Sequence, residues 1–116
     1  TKPAATLRRF LQDGRTIWAA GAYDAMSARL IADAGFDAIL TSGFGVSASF
    51  LGQPDAELYT MTENLAVVRN VCNAVGIPVV ADADTGYGNA VNVMRTVREF
   101  EQAGVAGLIL EDQLSP

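Results

Sequence analysis

Short apolar runs alternate along the chain with longer segments in which apolar residues recur at helical spacing. The apolar runs predict four β-strands, at residues 16–20, 38–41, 78–81 and 107–110. None of them alternates between polar and apolar positions, which is typical of a sheet buried on both faces.

The segments between the strands carry helix signals. A leading helix ends at residue 12, and a second helix covers 25–34 with Asp24 as its N-cap. A third helix begins at the capping box Thr60-x-x-Glu63 and ends at Gly76. A fourth helix covers 89–103. Residues 42–59, rich in glycine, are predicted to form a long loop.

A repeated unit sets the fold class. Gly35, Gly76 and Gly104 each end a helix, and an apolar strand begins soon after each of them. Strands joined through helices pair in parallel with right-handed crossovers. The sequence therefore predicts an α/β fold.

Four β/α units fit either an open doubly wound sheet or part of a (β/α)8 TIM barrel, which needs about 250 residues. No G-x-G-x-x-G or P-loop motif follows any strand, and no helix covers the last strand. Both observations favour the barrel. We expect residues 1–116 to be the N-terminal half of a single TIM-barrel catalytic domain and to supply about its first four β/α units.

Composition excludes several classes of partner and of catalytic chemistry. The net charge is −5, which argues against nucleic-acid and anionic-membrane partners. The 116 residues include no histidine, which excludes histidine catalysis within them, and the single Cys72 allows no internal disulfide. No apolar run approaches the ~20 residues of a membrane span, and no signal peptide is evident, so a cytoplasmic protein is expected.

Acidic residues collect where the predicted strands end, which is where ligands bind in parallel α/β folds. Asp82 and Asp84 follow the third strand and Glu111 follows the fourth. Two residues apart on an extended segment, the two aspartates point to the same side. Three carboxylates at one barrel mouth repel one another unless a cation or bound protons relieve the repulsion, and oxygen ligands suit Mg²⁺ or Mn²⁺. The alternative is that all three are turn and N-cap residues.

The remaining candidates are weaker. Gly43 and Gly45 leave backbone amides open to an anionic ligand, although an ordinary glycine loop has the same composition. Cys72, Trp18, Met26 and Phe100 are predicted to be core residues.

At these strand ends the sequence resembles the isocitrate lyase and phosphoenolpyruvate mutase superfamily. The resemblance lies in five stretches that together span most of the chain after residue 20: GAYDAMSA at 21–28, TSGFG at 41–45, LGQPD at 51–55, ADADTGYG at 81–88 and LEDQ at 110–113. No single stretch is decisive, but their order and spacing are specific.

The resemblance implies a (β/α)8 barrel that binds Mg²⁺ and a small carboxylic acid. It implies that Asp84 is the nearest metal ligand and that Asp82 and Glu111 reach the ion largely through water. The Ser42, Gly43 and Phe44 segment would hold the substrate carboxylate, with Asp82 beside it, and Asp55 matches a carboxylate next to the active site. The family often forms homotetramers.

The implied chemistry makes or breaks a C–C or P–C bond next to a carboxylate. Within the family, Gln113 is typical of the carbon–carbon lyases and also of a carboxyphosphonoenolpyruvate mutase. The 51–55 stretch favours a lyase, which would act on a methylisocitrate-, dimethylmalate- or oxaloacetate-like substrate. Leu40 and Phe44 depart from the methylisocitrate lyase pattern, which leaves the substrate open.

Two alternatives are a P–C bond enzyme such as a phosphonomutase, and a non-catalytic carboxylate-binding barrel. The cysteine-bearing loop of the family lyases would follow Pro116, so no activity is expected from these residues alone.

Overall fold

Four parallel strands lie side by side in the order in which they occur along the chain. The computed structural model describes residues 2–114, and the sheet order is β1-β2-β3-β4. The strands are β1 (Ala19–Ala22), β2 (Ala38–Thr41), β3 (Val79–Asp82) and β4 (Gly107–Ile109). The helices are α1 (Pro3–Gln12), α2 (Ala25–Asp33), α3 (Gly43–Val46), α4 (Met61–Ala74) and α5 (Ala90–Ala103).

Capping residues fix where helices α2, α4 and α5 begin. Capping boxes pair Asp24 with Ser27 at α2, Thr60 with Glu63 at α4, and Asn89 with Asn92 at α5. Gly104 ends α5 in the left-handed conformation, with φ of 105°. The predicted caps at Asp24, Thr60 and Gly104 are confirmed.

Helices α2, α4 and α5 lie on one face of the sheet. Helix α4 packs against both α2 and α5, whereas a doubly wound sheet divides its helices between two faces. Sequential parallel strands with helices on one side are the wall of a (β/α)8 barrel. The predicted α/β fold and its barrel type are confirmed.

Alternation along the strands divides the sheet into two surfaces. Ile39, Val79 and Ala81 are buried against the helices. Leu40 and Val80 are paired neighbours on the opposite face, where Leu40 is exposed. Burial on both faces, predicted from the unbroken apolar runs, is therefore wrong within residues 2–114, because these residues supply a cover for one face only.

Two segments differ from the sequence prediction. The first strand lies at 19–22 instead of 16–20, because pairing begins where Ala19 meets Ala38. The predicted loop 42–59 contains α3 and a π-helical turn, Ser47–Leu51. The Ser42 hydroxyl accepts a hydrogen bond from the Gly45 amide and so starts this helical segment.

Two of the predicted core residues are on the surface. Trp18 is 69% exposed and Met26 is 70% exposed. Trp18 precedes the edge strand, and Met26 lies on the side of α2 opposite the buried Ala28. Phe100, by contrast, is fully buried as predicted. Among residues 2–114, no helix combines the length and apolar character that crossing a membrane requires.

Replacing Phe100 tests the packing between α5 and the sheet. Phe100 lies in a core cluster with Leu65, Val68, Ala81 and Ala83. Phe100→Ala is expected to lower the free energy of unfolding by about 3–5 kcal/mol through lost burial and a cavity. Phe100→Leu should cost less than about 1.5 kcal/mol. Urea denaturation measures both, and an alanine variant as stable as the leucine variant would contradict this packing.

Candidate active site

The carboxyl ends of β2, β3 and β4 converge on one patch of the surface. The Ser42 amide donates to Ala22 at the end of β1, and the Glu111 amide donates to the main-chain oxygen of Asp84 at 2.8 Å. Parallel pairing therefore brings together the segments that carry the predicted site residues.

Asp82 and Asp84 lie against each other. The Asp84 amide donates to Oδ1 of Asp82 at 2.9 Å, and the Asp82 amide donates to the buried Thr41 hydroxyl at 3.0 Å. The other carboxylate oxygen of Asp82 lies only 2.7 Å from where a Cβ on Gly43 would stand. The extended strand end assumed in the prediction is wrong, however, because β3 ends at Asp82 and the chain turns there.

The turn after β3 runs through left-handed backbone. Asp84 has φ of 50° and Tyr87 has φ of 63°, and Gly86 and Gly88 also have positive φ. A non-glycine residue in this region costs on the order of 1–3 kcal/mol, so surrounding contacts must hold it there. Such outliers cluster at functional sites, which adds to the case for this turn.

Asp84 is held by side chains that the sequence prediction missed. Its Oδ2 accepts a hydrogen bond of 2.8 Å from the Tyr87 hydroxyl. The side-chain amide of Asn64 on α4 donates to the Tyr87 oxygen at 2.8 Å and to the main-chain oxygen of Asp82 at 2.9 Å. Asn64 is 1% exposed, so the residue that joins this network is itself buried.

Burial dominates the electrostatics of this aspartate. Asp84 is 5% exposed. Its pKa is raised chiefly by desolvation, which the Tyr87 hydrogen bond and the nearby Tyr59 hydroxyl oppose and the neighbouring charges of Asp82 and Glu57 increase. Burial and the charges of Asp84, Asp82 and Asp55 raise the pKa of Tyr59, and burial and Asp84 raise the pKa of Tyr87, so both phenols remain protonated donors.

The buried hydroxyl of Tyr59 is a further feature of this site. The residue is 2% exposed, and its hydroxyl makes no hydrogen bond of normal geometry with any group in residues 2–114, although it lies near Asp84. It also lies 2.9 Å from the Cβ position of Gly43, beside Asp82. A buried donor without a partner, next to two carboxylates, is a feature that a bound ion with its waters would satisfy.

The donor set fits Mg²⁺ with water in its coordination shell. Across residues 2–114, no three Asp, Glu, Cys or His side chains come together as a complete ligand set. Mg²⁺ usually takes one or two protein carboxylates and keeps several waters. Asp84, with Asp82 beside it, meets that requirement, and a cation would offset the repulsion that raises the pKa of Asp84.

The Ser42 segment borders a cavity of about 450 Å³. The Ser42 oxygen accepts from the Gly45 amide at 2.9 Å, which leaves its own proton for a ligand. Gly43 and Phe44 begin α3, where amides have no partner within the helix. The cavity is lined by Gly21, Tyr23, Ser42, Phe44, Gly45, Ala48 and Ser49.

The two other predicted carboxylates lie at the rim. Glu111 is exposed and its side chain accepts a hydrogen bond from Gln113. It borders a second cavity together with Glu57, Thr85 and Tyr87. Asp55 is exposed in the segment before α4, where its charge acts on Tyr59. The roles of Asp82, Asp84, Asp55, Glu111 and the Ser42 segment all stay predictions.

Sequence signals for the missed residues were faint. Asn64 follows the Thr60 capping box by one residue, and a polar residue at that position gives no sign of burial. Tyr59 precedes the same box, and the contact with Gly43 depends on the fold of the 43–51 segment. Tyr87 lies between two glycines in the 81–88 stretch, and nothing in that pattern indicates a hydrogen bond to Asp84.

Cys72 is not placed to act at this site. It lies on α4 and packs against the core cluster around Phe100. It also packs against a second cluster, which consists of Ala22, Ala28, Ile39, Val71 and Val79. Burial raises the pKa of its thiol to about 11, so little thiolate forms near neutral pH. The prediction that it is a packing residue agrees with this partly buried position.

A family model and a curated relative both match most of this chain. A family model described as phosphoenolpyruvate phosphomutase matches residues 7–116. A 2,3-dimethylmalate lyase from Eubacterium barkeri is 57% identical over 113 residues, which cover 97% of this chain and 39% of that protein. The chain thus spans about two fifths of the length of that curated relative.

Solved structures share the fold closely. The crystal structure of a phosphoenolpyruvate phosphomutase from Streptomyces platensis subsp. rosaceus superposes with a TM-score of 0.93 at 51% identity, covering 97% of this chain and 39% of the other. A phosphonopyruvate hydrolase solved in complex with oxalate and Mg²⁺ gives a TM-score of 0.96 at 40% identity, covering 100% of this chain and 41% of the other.

Alkylation tests the position of Cys72. At pH 8, iodoacetamide should label Cys72 in the native protein at least about 10-fold more slowly than in urea, because a thiol with a pKa of about 11 is almost fully protonated. The rate should keep rising as the pH approaches 11. Peptide mass mapping follows the label, and equal rates in buffer and urea would show an accessible, reactive thiol.

Proposed function

The chain belongs to the phosphoenolpyruvate phosphomutase family, and we propose that the protein is a Mg²⁺-dependent carbon–carbon lyase. The resemblance to the isocitrate lyase and phosphoenolpyruvate mutase superfamily is confirmed. The proposed substrate is a small 2-hydroxy di- or tricarboxylate of the methylisocitrate, dimethylmalate or oxaloacetate type. The 57% identity to a 2,3-dimethylmalate lyase supports this class.

The observation that carries the proposal is the buried Asp84 with the half-buried Asp82 beside it. A carboxylate that is 5% exposed, beside a second carboxylate, needs a positive charge, and the described residues place no lysine or arginine in hydrogen-bonding or ion-pair contact with either aspartate. Asp84 would hold Mg²⁺ directly, with Asp82 and Glu111 acting through water. Bound there, Mg²⁺ would supply Lewis-acid stabilisation of a pyruvate-type enolate.

The substrate carboxylate would lie on the α3 side of the metal. The amides of Gly43 and Phe44 and the hydroxyl proton of Ser42 would bind it, with Asp82 completing that side. Gly43 has no side chain where Asp82 and Tyr59 approach, so anion and metal ligands fit within one small space. Asp55 would act from the rim as a catalytic carboxylate.

Residues 1–116 would then be the N-terminal half of one TIM-barrel domain. The uncovered sheet face around Leu40 and Val80 would become the inner wall of the barrel, and the free edge of β4 would pair with a further strand. The same proposal includes a homotetramer in the cytoplasm.

A second candidate is a P–C bond enzyme of the phosphonomutase type. The family model is described as a phosphoenolpyruvate phosphomutase, and two solved structures with TM-scores above 0.9 are a phosphomutase and a phosphonopyruvate hydrolase. The same carboxylates and the same anion-binding segment would serve that chemistry.

Asp84→Asn in the full-length protein tests both candidates. Its loss of charge should lower kcat/KM by at least about 100-fold, because Lewis-acid stabilisation is worth several kcal/mol. Asp33→Asn, an exposed aspartate at the end of α2, is the control and should leave turnover unchanged. Activity of wild type should also disappear with EDTA and return with MgCl₂.

Product identity on a panel of 2-hydroxy acids and phosphonates separates the two chemistries. Pyruvate or an analogue from a hydroxy acid supports the lyase, and a P–C rearrangement or cleavage supports the second candidate. Full turnover by Asp84→Asn would overturn the metal site, and no turnover of any compound would favour a non-catalytic carboxylate-binding barrel.

A further inference from the structure

We propose that Tyr87, fixed in place by Asn64, is a positioning residue that orients the Asp84 carboxylate for the divalent cation. The inference rests on the proposed metal site and assigns a task to two side chains that need not touch substrate or metal themselves.

Asn64 links both aspartates from the helix side of the sheet. One proton of its amide goes to the main-chain oxygen of Asp82 at 2.9 Å and the other to the Tyr87 oxygen at 2.8 Å. The Thr60 and Glu63 capping box starts α4 directly before it, which fixes its position in the helix. At 1% exposure, Asn64 has no water to replace either acceptor.

Tyr87 is held on three sides. Its oxygen accepts from Asn64, its proton goes to Oδ2 of Asp84 at 2.8 Å, and its ring stacks on Phe100 with centroids 6.4 Å apart. The Asn64 bond occupies an oxygen lone pair, so the phenol proton is free to point at Asp84. The direction of hydrogen-bond donation is therefore fixed: Asn64 donates to Tyr87, and Tyr87 donates to Asp84.

Asp84 needs such support because its backbone gives little. It lies in a left-handed turn with φ of 50°, outside any strand or helix. A hydrogen bond to Oδ2 fixes the rotation of the carboxylate and leaves its remaining lone pairs in a defined direction for a cation. Partners that orient a ligating carboxylate typically change metal affinity 10- to 100-fold when removed.

Mn²⁺ binding to the full-length protein, followed by the electron paramagnetic resonance signal of free Mn²⁺, tests this without any turnover assay. Tyr87→Phe should raise the Kd for Mn²⁺ by about 10-fold or more. Asn64→Ala should raise it by a smaller factor, because Tyr87 keeps its own proton. Asn64→Ala also provides the test if Tyr87→Phe is not folded by circular dichroism.

Phe100→Leu is the matched control. It disturbs the ring stack under Tyr87 and lowers Tm, but touches neither the phenol proton nor Asp84, so its Kd should stay within about twofold of wild type. A merely structural Tyr87 would instead give Tyr87→Phe and Phe100→Leu the same Kd, and that outcome would overturn the inference.

Asp84→Asn separates the inference from the proposed function. If Asp84→Asn loses Mn²⁺ binding while Tyr87→Phe binds as wild type does, the metal site stands and the positioning role is wrong. If wild type and Asp84→Asn bind Mn²⁺ equally, the metal site at Asp84 is wrong and the positioning role fails with it.

Discussion

The alternation of side chains along β3 is the constraint on which the candidate site depends. Val79 and Ala81 must face the helices to bury the core, so Val80 and Asp82 face the other way. A shift of one residue would bury the Asp82 carboxylate among aliphatic side chains and expose the core. The same hydrophobic contacts that hold the fold together therefore determine which surface carries the charge.

Much of this arrangement is readable from the sequence, because it follows from local patterns. Residues 38–41 form the strand predicted for them, and the capping residues Asp24 and Thr60 begin their helices as expected. Parallel strands bring their carboxyl ends together whatever the loops do, so the grouping of Asp82, Asp84 and Glu111 near one sheet edge needs only the strand assignments.

The rest depends on contacts between residues far apart in sequence. Nothing local distinguishes the buried Asn64 from an exposed helical asparagine, and its partners are Asp82 and Tyr87, 18 and 23 residues away. Hydrophobicity alone predicts that Trp18 and Met26 are core residues, yet the chain folds with no element over them within residues 2–114. The helical segment at 43–51 begins from one serine side chain, a signal that glycine-rich composition obscures.

The three tyrosines and the single tryptophan of this sequence report from opposite ends of the sheet. Tyr59 and Tyr87 surround Asp84, and Tyr23 follows β1 at the same end, whereas Trp18 precedes β1 at the amino end of the strands. Tyrosine absorbance of this region therefore senses the carboxylates, while its tryptophan emission senses the far side of the sheet. The two kinds of chromophore therefore give separate signals, one from the candidate site and one from the opposite end of the sheet.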